Sequence, residues 1–164
     1  MFNAGKRLLR GFAAAMALML SLGTPLTAEA AARKVDYKNY QVQYYNSSSP
    51  ERLARKLGLK KKSSRKFKKY YKGKKVVVGW NSGSASYPKK YVYIKNSGNK
   101  KFTVYGVKIG DSKKTVKKKM NKVSWLYSSG SRTLQYGPDY DGYTFKFNRK
   151  GKLISWTYQI YPTS

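Results

Sequence analysis

The chain has no cysteine and no histidine, and only 6 of its 164 residues are Asp or Glu. Without cysteine there is no disulfide framework, no thiolate nucleophile and no lipidated cysteine. Without histidine there is no imidazole base, and the two absences together remove every Cys/His metal site. Gly-x-Ser-x-Gly, the Walker phosphate loop and Gly-x-Gly-x-x-Gly are also missing. No apolar run reaches the roughly 20 residues that cross a bilayer. These absences predict a protein that binds and does not catalyse, with no cofactor and no metal.

What is present is basic charge, 36 Lys and Arg for a net +30. Residues 1–30 stand apart from the rest. Lys6, Arg7 and Arg10 precede an apolar run from Phe12 to Leu22, then come Pro25 and the triplet Ala28-Glu29-Ala30. That order is the layout of a secretory signal peptide, with cleavage expected after Ala30 and small residues at Ala28 and Ala30. The expected mature chain, residues 31–164, carries 33 basic and 5 acidic side chains, or +28, and is expected outside the membrane, associated with the cell envelope.

A charge this high argues for disorder when large aliphatics are few. Leu, Ile, Val and Phe supply only 24 of the 134 mature residues, but all 16 Tyr and 3 Trp also lie there. Tyrosine is the hydrophobe of this chain, and its rings fall in alternating runs that suit strands. The sequence therefore predicts a folded α+β domain, short helices packed on an antiparallel β-meander.

Period-2 alternation at Tyr40, Val42 and Tyr44 predicts a strand. Ser49-Pro50-Glu51, with Leu53 and Leu57 four apart and Gly58 behind them, predicts a helix capped by Ser49. Phe67, Tyr70 and Tyr71 have the spacing of a second helix, after Ser63-Ser64 and ending at Gly73. Val76 to Trp80 and Tyr91 to Ile94 read as strands, with Asn81 to Ser86 and Asn96 to Asn99 as turns and Phe102-Val104 as a continuation. Asp111-Ser112 opens a further helix with Val116 and Met120 inward. Trp125–Tyr127, Thr133–Tyr136, Tyr143–Phe147 and Leu153–Ile160 complete the meander. Within the last of these, Ile154, Trp156, Tyr158 and Ile160 are expected on one face.

A shift of 63 residues places Ser49 on Ser112, Leu53 on Val116 and Leu57 on Met120. The chain thus reads either as two half-repeats, about 40–105 and 106–164, or as two helices that share a capping pattern. The run Val107 to Met120, with Gly110-Asp111-Ser112, Val116 and Met120, resembles the SmpA/OmlA-like envelope proteins and the β-lactamase inhibitory proteins. Tyr143 to Tyr158, with Phe145, Phe147, Gly151 and Leu153, is similar to their closing hairpin. The likeness covers about 55 residues. It implies a helix on an antiparallel sheet and a non-catalytic role in the envelope or in binding another protein. Asn121-Lys122-Val123 stands where those families have Gly-x-Pro, and the lipidated cysteine and the disulfides have no counterpart.

Of the mature carboxylates, Glu51 and Asp111 sit at helix starts, Asp36 stands alone, and Asp139 and Asp141 flank Tyr140 in a Pro/Gly turn. Two acids two residues apart in such a segment read as turn formers before catalysts or calcium ligands. The basic residues of the mature chain are 27 Lys and 6 Arg. Lysine suits diffuse attraction, whereas base reading and bidentate phosphate recognition favour arginine, so sequence-specific nucleic acid is not the expected partner.

The lysines cluster as Lys60, Lys61, Lys62, Lys66, Lys68, Lys69, Lys72, Lys74 and Lys75, and as Lys113, Lys114, Lys117, Lys118 and Lys119. Either they form a solvated coat or they bind polyanion. The functional expectation is electrostatic retention on an anionic cell-surface polymer or membrane surface. Two other functions are open: recognition of a protein partner through an aromatic face bearing Trp80, Trp125 and Trp156, and action as a secreted cationic toxin.

Overall fold

The computed structural model describes residues 34–138 and 141–161, with the side chains of Tyr87 and Pro88 left aside. The expected leader with Ala28 and Ala30, and Asp139-Tyr140 of the acidic turn, lie outside the described residues. In chain order the elements are β1 (Val35–Asp36), α1 (Ser49–Lys56), β2 (Lys60–Lys61), β3 (Lys69–Lys72), β4 (Val76–Ser84), β5 (Tyr87–Asn96), β6 (Phe102–Thr103), α2 (Lys113–Met120), β7 (Leu126–Ser129), β8 (Thr133–Tyr136), β9 (Asp141–Phe147) and β10 (Leu153–Ile160). This is the expected α+β class.

Eight strands form one antiparallel sheet in the order β2-β3-β4-β5-β10-β9-β8-β7. Helix α1 precedes the meander β2 to β5, and α2 precedes the meander β7 to β10. The meanders join along β5 and β10, where Trp156 stands opposite Asn96 and Ile160 opposite Val92. Strands β1 and β6 make a separate parallel pair.

One sheet face is the core. Side chains line up across five strands as Val76, Asn96, Trp156, Phe145 and Leu134, and again as Val78, Ile94, Tyr158, Tyr143 and Tyr136. Leu53 and Ala54 of α1 and Val116 and Met120 of α2 join the same buried cluster. Aromatic rings of 150–250 Å² apiece (roughly, for any Phe, Tyr or Trp) let a chain poor in aliphatics bury enough surface.

Both helices start on side-chain oxygens. In α2 the Ser112 hydroxyl accepts the Thr115 amide at 3.1 Å. In α1 the work passes to Asn46, whose side-chain oxygen accepts the amides of Ser48 at 3.1 Å and Ser49 at 3.3 Å. Ser49 is therefore the first helical residue and not the cap. Gly58, at φ 63°, turns the chain out of the helix in a conformation glycine tolerates.

Four further expectations are corrected. Residues 40–44 alternate but form no strand, because their carbonyls are taken by core side chains: Tyr37 donates its hydroxyl to Val42 O and Trp80 its indole N–H to Gln43 O at 2.9 Å. The segment 63–72 is not helical. It ends in β3, with Tyr71 on the core face opposite Val78 and Tyr70 on the other face opposite Gly79. Strand β4 runs on through Asn81 to Ser84, where a turn was expected. A bulge between Leu153 and Ser155 sends Leu153 inward and leaves Ile154 47% exposed, away from Trp156, Tyr158 and Ile160.

The outer sheet face carries its own ring cluster. Phe67 lies over Gly79 and stacks with Tyr91, ring centres 5.3 Å apart, and with Tyr70 at 5.7 Å. A Cβ on Gly79 would stand 2.6 Å from the Phe67 ring. Gly79→Ala is therefore expected to cost about 2 kcal/mol despite alanine's better strand backbone, read from the urea midpoint. An unchanged midpoint would mean that Phe67 does not rest on that glycine.

The two sheet edges are unlike. Edge β2 is Lys60-Lys61, fully exposed, with Lys60 opposite Lys72, and such charge blocks the addition of another strand. Edge β7 is also exposed along its length but reads Leu126-Tyr127-Ser128-Ser129, with no charge.

Candidate functional site

The lysines predicted to bind polyanion fall into two separate surfaces and a committed minority. Lys60, Lys61, Lys62, Lys68, Lys72, Lys74 and Lys75 are exposed at the β2–β3 edge and the turn into β4. Lys66 is exposed beside them, its ammonium 4.9 Å from the Tyr91 ring centre in a cation–π contact.

Lys69 is not available to a ligand. Its ammonium donates to Ser47 O at 2.8 Å and pairs with Glu51 at 2.6 Å, tying β3 to α1. The hydrogen bond from Lys69 holds the Glu51 carboxyl below its usual range. Lys119 is likewise held, by Asp111 at 2.8 Å and Gly106 O at 2.7 Å. Lys113 reaches the carbonyls of Gly130 and Ser131, joining the start of α2 to the β7–β8 turn.

Lys114, Lys118 and Lys122 remain as an exposed stripe along α2 and its exit, flanking a groove of about 430 Å³ with Thr115 and Lys119. Successive positions four apart stand about 6 Å apart along a helix axis. The chain offsets only part of this charge: Lys113 reaches two carbonyls, and Lys117, Lys118 and Lys119 stand in the last turn, at the favourable end of the helix dipole. Lys113 and Lys114 face the positive end of the helix dipole with no acid in the first turn. Lys113 with Lys117, and Lys114 with Lys118, are like charges at i, i+4, each pair costing about 0.2–0.5 kcal/mol. Lys122 was not among the expected lysines, although its spacing of four from Lys118 signals it.

The tryptophans do not share a face. Trp80 and Trp156 are 2% and 0% exposed, as core residues, so neither can meet a partner. Trp125 alone is open, 56% exposed, its ring 5.7 Å from that of Tyr127.

Trp125 borders a second cavity, of about 280 Å³, that no single sequence motif announces. Its lining is Tyr37, Gln41, Gln43, Tyr105, Val123, Ser124, Trp125, Gly137, Pro138, Asp141, Tyr143 and Tyr158. Tyr143 and Tyr158 stack at 4.7 Å, and Tyr105 meets Tyr143 edge-on at 5.9 Å. Burial raises the phenol pKa of Tyr37, Tyr143 and Tyr158 well above the ordinary value. Burial also raises that of the Asp141 carboxyl, against the opposing effect of a hydrogen bond from Tyr158. Among the described residues no three carboxylates come together as a metal site would need, and no helix is long and apolar enough to cross a membrane.

The walls of this cavity are braced from behind. The Asp36 carboxylate accepts the amides of Tyr105 at 2.9 Å and Gly106 at 2.7 Å, and the Thr103 hydroxyl at 3.0 Å. That grip holds Tyr105 at φ 48°. Asp36, unassigned in the sequence, is thus a structural clamp.

Neither a protein-family model, nor a curated protein, nor a solved structure matches this chain. Function therefore rests on the geometry.

Proposed function

We propose that this is an exported, non-catalytic binding protein held by its lysines on an anionic surface of the cell envelope, a teichoic-acid-like chain, an acidic glycan or phospholipid headgroups. The observation that carries the reading is the Lys114, Lys118 and Lys122 stripe: three exposed cations spaced by four along α2 and the turn that follows it, none of them paired with an acid among the described residues. A repeating anion would replace the repulsion among them with attraction. The edge at Lys60 to Lys75 supplies a further patch for the same surface.

Two measurements test it. Intact producing cells washed in rising salt should release the protein well below molar salt, and absence from cells at low salt would sink the idea. With soluble polyphosphate as probe, log K should fall linearly with log salt, and the triple variant Lys114→Gln, Lys118→Gln, Lys122→Gln should flatten that slope by about 2. A slope unchanged by the triple variant would remove α2 from the binding surface. Protein recognition is a second reading, favoured by the uncharged β7 edge beside Trp125. A partner retained in molar salt would support it over charge retention.

A further inference from the structure

The cavity beside Trp125 is set apart by what it lacks. In a chain with 36 basic residues in 164, none of the twelve that line it is Lys or Arg. Among the described residues its one charged group is the Asp141 carboxylate, and no lysine or arginine pairs with it. An anionic polymer would find no ammonium or guanidinium to pair with in this lining, so the cavity is not an extension of the lysine surfaces.

The remaining groups narrow the ligand. Tyr143 and Tyr158 stack with 28° between their planes, so one face of each ring is spent on the other and is closed to an organic cation. The field of a strongly cationic protein disfavours a cation further. A lining of one open indole with four phenols, two amides and a carboxylate matches a ring with an apolar face and a rim of hydroxyls.

The backbone points to the same place. Gln41 at φ 35° and Tyr105 at φ 48° are the two non-glycine residues with positive φ among the described residues, and both line this cavity. Such conformations persist where the surroundings enforce them, and they concentrate at binding sites. Here Asp36 supplies the enforcement on Tyr105.

We propose that this cavity is a subsite for one ring of a neutral oligosaccharide, with Trp125 as the stacking platform and Asp141, Tyr158 and Gln41 as hydrogen-bond partners of its hydroxyls. Sugar capture here is independent of salt, in contrast to retention by lysine.

The test is titration of the full-length mature protein with chitotetraose and with cellotetraose in molar salt, following Trp fluorescence and calorimetric heat, with choline chloride as the cation control. Saturable binding of at least one tetrasaccharide is expected, weakened about tenfold or more by Trp125→Ala and by Asp141→Asn. Trp125 is exposed, so that variant should keep the parent's circular dichroism; Tyr158→Phe, which keeps the ring and removes the hydroxyl, gives a second reading should Asp141→Asn unfold. No saturable binding of either sugar overturns the proposal. So does sugar affinity unchanged in folded Trp125→Ala, or choline binding that depends on Trp125 and Asp141 in place of sugar binding.

Discussion

Above pH 10 the protein is expected to unfold in one cooperative step, with tyrosinate absorbance and loss of strand circular dichroism appearing together. Tyr37, Tyr91, Tyr143 and Tyr158 all have phenols that burial holds above the ordinary value near 10. In the unfolded chain these groups lose their protons from about pH 10. In the native state they keep them. The native state therefore binds more protons, and stability falls as pH rises above the unfolded value. Each such phenol removes about 1 kcal/mol in the first pH unit above 10 and about 1.4 per unit beyond it, so four remove roughly 4 kcal/mol in the first unit, against a total of about 5–15 for a typical domain. Tyr143→Phe, which removes one titrating group, should move the midpoint upward. Phenols that titrate singly near pH 10 with unchanged dichroism would refute the account.

Asp36→Ala is expected to be the most damaging single change outside the hydrophobic core. The carboxylate accepts the amides of Lys38, Tyr105 and Gly106 and the hydroxyl of Thr103. Its loss strands several partly buried donors at once, costing about 3 kcal/mol and lowering Tm by roughly 10 °C. Asp36→Asn keeps one acceptor oxygen and should recover about half of that loss. The damage should also reach the sugar subsite, since Tyr105 would be free to leave φ 48°. An Asp36→Ala protein with parental Tm would show that the clamp contributes nothing.

Much of the scaffold was legible locally. The α2 helix follows from a serine cap and two apolar residues four apart, all close in sequence. Strands β8, β9 and β10 were bounded by turn residues, and their alternation survives in the fold except at the start of β10, where the bulge turns Ile154 outward. The misreading at 63–72 had a distant cause. The spacing of Phe67, Tyr70 and Tyr71 fits a helix, yet here Phe67 and Tyr70 stack on the outer sheet face and Tyr71 turns to the core, with Phe67 seated on Gly79 and against Tyr91, both distant in sequence. Residues 40–44 failed for a similar reason, since Trp80, some 37 positions from Gln43, takes the carbonyl a neighbouring strand would use.

The lysine surfaces were visible in composition, but not which lysines were free. Lys69 and Lys119 are bound to Glu51 and Asp111, partners 18 and 8 residues away. The cavity beside Trp125 draws on stretches from Tyr37 to Tyr158, and no window of sequence contains it.

The unlike edges of the sheet also limit how copies of this protein can join. Growth by strand addition needs a receptive edge at each end of the unit. Here β7 offers one and the lysines of β2 refuse the other. Two copies meeting β7 to β7 would present only refusing edges outward, so such assembly stops at a pair and cannot run on into a fibre.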